Sequence, residues 1–296
     1  MEKCPVPPEQ KRTFFEKIRE KWANAQGTSA LLGIIVLFIG LSIASPFFLS
    51  LYNIRNILVQ MSVVSLLAGG VTFVILTAGI DLSTAANLAL VGTVVGVLTV
   101  KAGVPAGFAM IIGVAIGGAV GLFNGVLISK VGLPALIVTL GGLTLWRGLA
   151  FQVVGGYDIS GMVDAIGFIG RGNIFYIPMP VIIMFGYYIL TSLTLKHTKL
   201  GRYVYALGSN EEAARRSGIN VSKYKIFVYI ICGVSAGLAA LVLIGRLDSS
   251  GGKIATNWEL DAIAAVILGG TSLFGGRGNI WGSLLGALLM TMIRNG

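Results

Sequence analysis

The sequence predicts an all-α fold, a polytopic bundle of transmembrane helices. Three observations predict it. The 296 residues are 55% hydrophobic and 11% charged, with mean hydropathy +0.86; soluble domains average about 25% charged residues. Apolar runs of roughly 20 residues, the length that crosses a bilayer, recur from residue 30 onward. No long stretch lacks such a run, so a second, soluble domain does not fit.

Taken in order, residues 1–29 form a cytoplasmic N-terminal segment. Within it, residues 9–24 are charged and amphipathic, and Phe14, Ile18 and Trp22 recur every fourth residue on one helical face. This predicts a helix lying on the membrane surface, the plainer alternative being a solvated tail. The charged region is too long, and the following run long enough to span, for a cleaved secretory leader. Residues 30–296 form the membrane domain. Its predicted spans are 30–48, 57–79, 84–100, 106–129, 134–154, 178–195, 226–245, 260–274 and 279–293. Pro105, Pro134, Pro178 and Pro180 open apolar runs, where the missing N–H costs nothing.

The basic residues set the orientation. With the N-terminus inside and alternating spans, fifteen lysines and arginines fall on the cytoplasmic side and six outside, with Arg147 inside a span. Excess positive charge marks the cytoplasmic side. Seven of the fifteen (Lys196, Lys199, Arg202, Arg215, Arg216, Lys223, Lys225) lie in one polar interval, 196–225, beside only two acids, Glu211 and Glu212. The net charge of +10 is therefore spread between membrane spans and does not indicate nucleic acid. Cys4 precedes the first span and Cys232 lies within a late one, so no disulfide framework is indicated.

Gly113, Gly117, Gly121 and Gly125 repeat every fourth residue, as do Gly282 and Gly286. Small residues at that spacing let helix backbones approach closely in lipid. Val74-Ile75-Leu76 before a polar break at 79–83, and Val266-Ile267-Leu268 before another at 269–272, hint at a weak parallel repeat.

The chemistry is sparse. There is no phosphate loop, no His-Glu-x-x-His and no dinucleotide fingerprint. The single histidine, His197, excludes a multi-histidine metal site and reads as an interfacial loop residue. No catalytic dyad sits in the spans. Ionisable groups within or beside them are Asp81, Arg147, Glu259 and Asp261; such groups are functional candidates because burying a charge in a bilayer is costly. Asp81 reads more simply as a helix cap than as a solute contact. Arg147 reads as snorkelling or pairing, and Glu259 and Asp261 as acids at a helix start. Neutral polar residues inside the spans, chiefly Asn87, Asn124, Thr139, Thr144 and Gln152, suit a path for a neutral polyhydroxy solute. Asp81, Asn87, Asn124 and Thr139 are its candidate lining. The chain thus offers a passage without a motor, and a cytoplasmic surface on which a separate subunit could dock.

Three segments carry a family resemblance: 200–221 (LGRYVYALGSNEEAARRSGINV), 74–83 (VILTAGIDLS) and 259–278 (ELDAIAAVILGGTSLFGGRG). The chain from about residue 30 resembles bacterial monosaccharide ABC transporter permeases, the ribose type most closely, with xylose, arabinose and galactose relatives. The resemblance implies the ABC importer permease fold in the inner membrane. It implies a second permease copy and a cytoplasmic ATPase that uses ATP and magnesium. It also implies an extracytoplasmic sugar-binding protein, with no cofactor on this chain. It places ATPase coupling on Gly208, Ser209, Asn210, Glu211, Glu212, Ala213, Ala214, Arg215, Arg216, Ser217 and Gly218. These residues have the order of a short helix: Ser209 or Asn210 as cap, acids in the first turn, arginines in the last and Gly218 as the stop. Two departures stand out. Ala85-Ala86 follow the Gly-Ile-Asp-Leu-Ser motif where relatives have Val-Gly. Relatives also continue past Arg294-Asn295-Gly296 with a further hydrophobic segment, which implies a longer chain. The competing readings are a secondary carrier or facilitator, a branched-chain amino acid ABC permease, and a membrane enzyme.

Overall fold

The computed structural model describes residues 28–296; the amphipathic segment 9–24 and Cys4 lie outside them. Twelve α-helices are found among the described residues, six of them long and apolar enough to cross a membrane. In chain order they are α1 (Thr28–Ala44), α2 (Leu51–Leu76), α3 (Thr84–Gly96), α4 (Ala106–Val126), α5 (Ala135–Val154) and α6 (Asp164–Arg171). Then follow α7 (Met179–His197), α8 (Lys199–Ser209), α9 (Glu211–Arg216), α10 (Val221–Leu247), α11 (Trp258–Leu268) and α12 (Ile280–Asn295). A wider π-turn extends α3 over Val97–Lys101 and α4 over Leu127–Val131.

Two helices form the centre. From Met61 to Leu76 every residue of α2 is buried, as expected of a helix that is hydrophobic all round. The other is α10, whose Gly70-facing turn brings Ser235 so near that a Cβ on Gly70 would overlap its hydroxyl. The glycine row of α4 packs on α10 as its spacing predicts. A Cβ at Gly117 would lie 2.5 Å from the Gly233 carbonyl oxygen and one at Gly121 2.1 Å from that of Tyr229. Gly113, by contrast, faces Val95 of α3. Gly282 and Gly286 of α12 likewise press on Gly269 and the Ala265 carbonyl of α11.

The molecule has two ends. The basic end holds the breaks at 77–83 and 269–279, the α4–α5 turn and the 196–225 interval. It is tied together by Gly276 N–H to Leu76 O (3.0 Å), Tyr205 hydroxyl to Gly278 O (3.0 Å) and Ser222 hydroxyl to Ser129 O (2.9 Å). The far end carries two short antiparallel ladders. Strand β1 (Ile159–Ser160) pairs with β4 (Ser249–Ser250), and β2 (Asn173–Ile174) with β3 (Ile177–Pro178).

Four predicted spans need correction. The first helix stops at Ala44, before Pro46, because Pro46 cannot continue the hydrogen-bond ladder. The second helix starts at Leu51, six residues early, because Ser50 caps it by accepting from Asn53 N–H, and it ends at Leu76. The seventh starts at Val221, five residues early, because Asn220 caps it by accepting from Lys223 N–H. The eighth is not a span. It is the 11-residue α11, about 16 Å at 1.5 Å per residue, ended at Gly269-Gly270, where Gly270 takes φ +89°. Beyond it the chain runs without helix to Asn279, the cap of α12. The two Val-Ile-Leu segments do both end helices, and their breaks touch through the Gly276–Leu76 bond.

Candidate functional site

Most of the polar interval 196–225 is helical. Thr198 caps α8 by accepting from Gly201 N–H. This amphipathic helix is absent from the sequence reading, although buried Gly201, Val204 and Leu207 mark one face of it. At Gly208 the chain passes against both breaks. A Cβ there would lie 1.8 Å from Leu76 O and 2.3 Å from Gly276 N, so only glycine fits.

Helix α9 forms as its residue order predicts. The Asn210 side chain accepts from Ala213 N–H at 2.9 Å, and Gly218 takes φ +82° just beyond the end. Ser209 is not the cap; it closes α8, its hydroxyl donating to Tyr205 O. Glu211 pairs with Arg215 and Glu212 with Arg216, each at 3.1 Å and four residues apart. Glu211 also accepts from Lys225 of α10 at 2.7 Å. That Lys225 bond, with the Lys225 and Arg215 charges behind it, holds the Glu211 carboxyl below the usual carboxylate range. Only Ala214 is buried, packed with Leu207 and Val221. The rest of the α9 surface, including Arg215 and Arg216, is open to a partner.

The four candidate path residues converge on the 77–83 break, and all are buried. Asp81 accepts from Ser83 N–H (2.9 Å) and from its hydroxyl (2.7 Å). It thus serves the turn before α3, while Ser83 holds the cap position itself. Asn124 of α4 donates to the Ser83 hydroxyl (2.8 Å), and Thr139 of α5 reaches Ile80 O (3.4 Å). Asn87 donates to Gly117 O of α4 (3.1 Å). Asn124 and Thr139 therefore join the break to α4 and α5, Asp81 bonds within the break, and Asn87 ties α3 to α4 just beyond it. Tyr229 of α10, unremarked in the sequence, contacts Ile80 O at 3.5 Å.

A pocket of about 370 Å³ at the basic end lies between these two groups, walled by Thr77–Gly79 on one side and by Glu211, Arg215 and Lys225 on the other. Lys225 and Tyr229 are one turn apart on α10, so one helix touches both α9 and the break.

Glu259 and Asp261 lie in the first turn of α11, as the sequence reading expects, whereas Arg147 departs from its reading. Arg147 neither snorkels nor pairs with a helix. It donates to Gly252 O (3.0 Å) and Ile254 O (2.7 Å). Asp261, at the start of α11, pairs with Arg294 of α12 at 2.5 Å. Glu259 is buried beside it. Long-range partners of this kind leave no local spacing signal. Among the described residues no cluster of His, Cys, Asp or Glu is arranged to hold a metal.

The family model described as the branched-chain amino acid transport system / permease component matches residues 53–296. The chain belongs to that family. It is 43% identical to the ribose import permease protein RbsC of Escherichia coli K12, over 96% of this chain and 88% of that protein. The corresponding Bacillus subtilis protein is 42% identical over 97% and 88%. The D-allose transport system permease protein AlsC of Escherichia coli K12 is 40% identical over 91% and 82%. No solved structure matches. The chain is thus a multi-pass membrane permease component of a transport system.

Proposed function

We propose that this chain is the membrane-spanning subunit of an ATP-driven importer that carries a ribose-type monosaccharide across the bacterial cytoplasmic membrane. The observation that carries the reading is the 40–43% identity, over nearly the whole chain, to permeases named for ribose and D-allose import. In this reading the basic end and the N-terminus face the cytoplasm. A cytoplasmic ATPase, with its own ATP and magnesium, grips α9. An extracytoplasmic binding protein delivers the sugar at the far end, and a second copy completes the path.

The geometry supports a route for the work. A partner that moves α9 pulls on Lys225 through Glu211, and α10 passes the displacement to Tyr229 and the Ile80 carbonyl. Gly208 pulls on Leu76 directly. Both routes end on the 77–83 break, where helices α3, α4 and α5 are joined by Ser83, Asn124 and Thr139. Alternating access then amounts to helices rocking around that junction.

The test is reconstitution with the ATPase and the binding protein in proteoliposomes. D-Ribose uptake that needs ATP supports the reading. Uptake without the ATPase would make the chain a secondary carrier, and ATP-driven uptake of leucine but not ribose would make it an amino acid permease.

A further inference from the structure

The far half of the molecule holds a second polar group. After β4, the chain does not re-enter a helix until Trp258. Residues 251–257 form an irregular turn that dips inward: Ile254 reaches Gly92 in the middle of α3, and the Phe151 ring lies against Gly252. Irregular backbone at membrane depth is tolerated where it is buried in protein or lines a water-filled cavity. Both conditions bear on this turn. Gly251 and Gly252 are buried, whereas Lys253, Thr256 and Asn257 are exposed, as is Thr144 one turn before Arg147 on α5. The Thr144 and Thr256 hydroxyls donate to Gly141 O and Lys253 O, but the exposed ammonium of Lys253 and amide of Asn257 are poorly suited to lipid. Ala255 (φ +52°) and Asn257 (φ +66°) are held left-handed, a strain that gathers at functional sites.

Two charged groups flank the turn. Arg147 spends one nitrogen on the carbonyls of Gly252 and Ile254, and its other nitrogens make no bond to the protein among the described residues. Glu259, only 4% exposed, keeps Oε2 without a hydrogen-bond partner. Arg147 is bonded to the turn five residues before Glu259, yet no ion pair joins the two. A planar set of donors and a buried acceptor, held near one another but unjoined, match the alternating donors and acceptors of vicinal hydroxyls.

We propose that Arg147, Glu259 and the turn 251–257 form a solute-contacting station in the far half of the translocation path, built for a neutral polyol. The station rests on the importer reading for its solute, and on the local geometry for its place. It precedes the 77–83 break on the way in.

The test uses the assembled importer, with permease, ATPase and binding protein. Thr144→Cys and Thr256→Cys are made with Cys4→Ser, Cys232 being buried, and treated from outside with a membrane-impermeant thiol reagent. Both should react at least about tenfold faster than Leu190→Cys on the apolar face of α7. Rates equal to that control would overturn the proposal. Next, Glu259→Gln and Arg147→Lys should each lower D-ribose uptake about tenfold or more, the scale of a lost charged hydrogen bond. Labelling of Thr256→Cys and ATPase stimulation by the loaded binding protein should persist. Unchanged uptake would overturn the proposal, and so would joint loss of uptake, labelling and stimulation, which marks a purely structural role. If labelling is fast but the parent importer takes up no D-ribose, the station stands and the sugar reading falls.

Discussion

Helix α9 and the 77–83 break face each other across one pocket, yet they are held by opposite means. Helix α9 is six residues long and stands on local chemistry: one cap, two pairs at i,i+4 spacing and a single buried side chain, Ala214. Exposed pairs of this kind contribute about 0.3–0.5 kcal/mol each. The break is buried, and its polar groups are met by residues of three other helices, α4, α5 and α10. The first is a handle that a partner can reshape at little cost. The second is a joint that can move only if several helices move together. That contrast is what a transmission needs: a soft contact outside and a stiff junction inside.

Breaking the stiff side should have the largest effect. Gly208→Val puts side-chain atoms into the Leu76 carbonyl and the Gly276 backbone, so the 269–279 segment must separate from the 77–83 break. Overpacking of this kind costs about 1–3 kcal/mol or more. A clear fall in the melting temperature of the purified permease, with loss of uptake, is expected; unchanged melting would break the comparison.

Next comes Asp81→Ala, which leaves the buried Ser83 N–H without its acceptor, at about 1–3 kcal/mol. Asp81→Asn keeps an acceptor and should lose less. Thermal unfolding of the two variants side by side checks the order.

A smaller effect is expected on the handle. Asn210→Ala removes the α9 cap, worth about 1 kcal/mol, and should raise amide exchange in residues 211–217 while leaving 77–83 protected. Equal loosening of both would show that the two regions are not mechanically distinct.

The smallest effect is that of acid. The Glu211 carboxyl is held below its ordinary range in the folded chain. Its contribution is therefore complete above that range and fades as pH falls through the depressed folded value. Glu211 is 39% exposed, so solvent screening keeps the loss within about 1 kcal/mol. Protection factors of the α9 amides, which divide out the intrinsic pH dependence of exchange, should fall at low pH in the parent and stay flat in Glu211→Gln.

The same contrast decides what could be read in advance. Helix α9 was legible because cap, acids, arginines and Gly218 lie within nine residues. The break was legible as a break, since Gly79, Asp81 and Ser83 interrupt an apolar run. Its partners were not, because Asn124 and Thr139 reach it from 41 and 59 residues away and spacing carries no such information. The eighth span failed for a related reason. Hydropathy counts 260–274 as apolar, whereas two glycine pairs, Gly269-Gly270 and Gly275-Gly276, let the backbone leave the helix and return to meet Leu76. Arg147 was conspicuous as a charge in a span, but its partners are carbonyls, which every residue possesses.

The account turns on the exposed face of α9 being gripped by the ATPase at the basic end. The most direct measurement is co-purification of the tagged permease with its ATPase after Arg215→Glu and Arg216→Glu together. The account predicts a permease that still inserts and folds but no longer retains the ATPase. Retention at the parent level would contradict it.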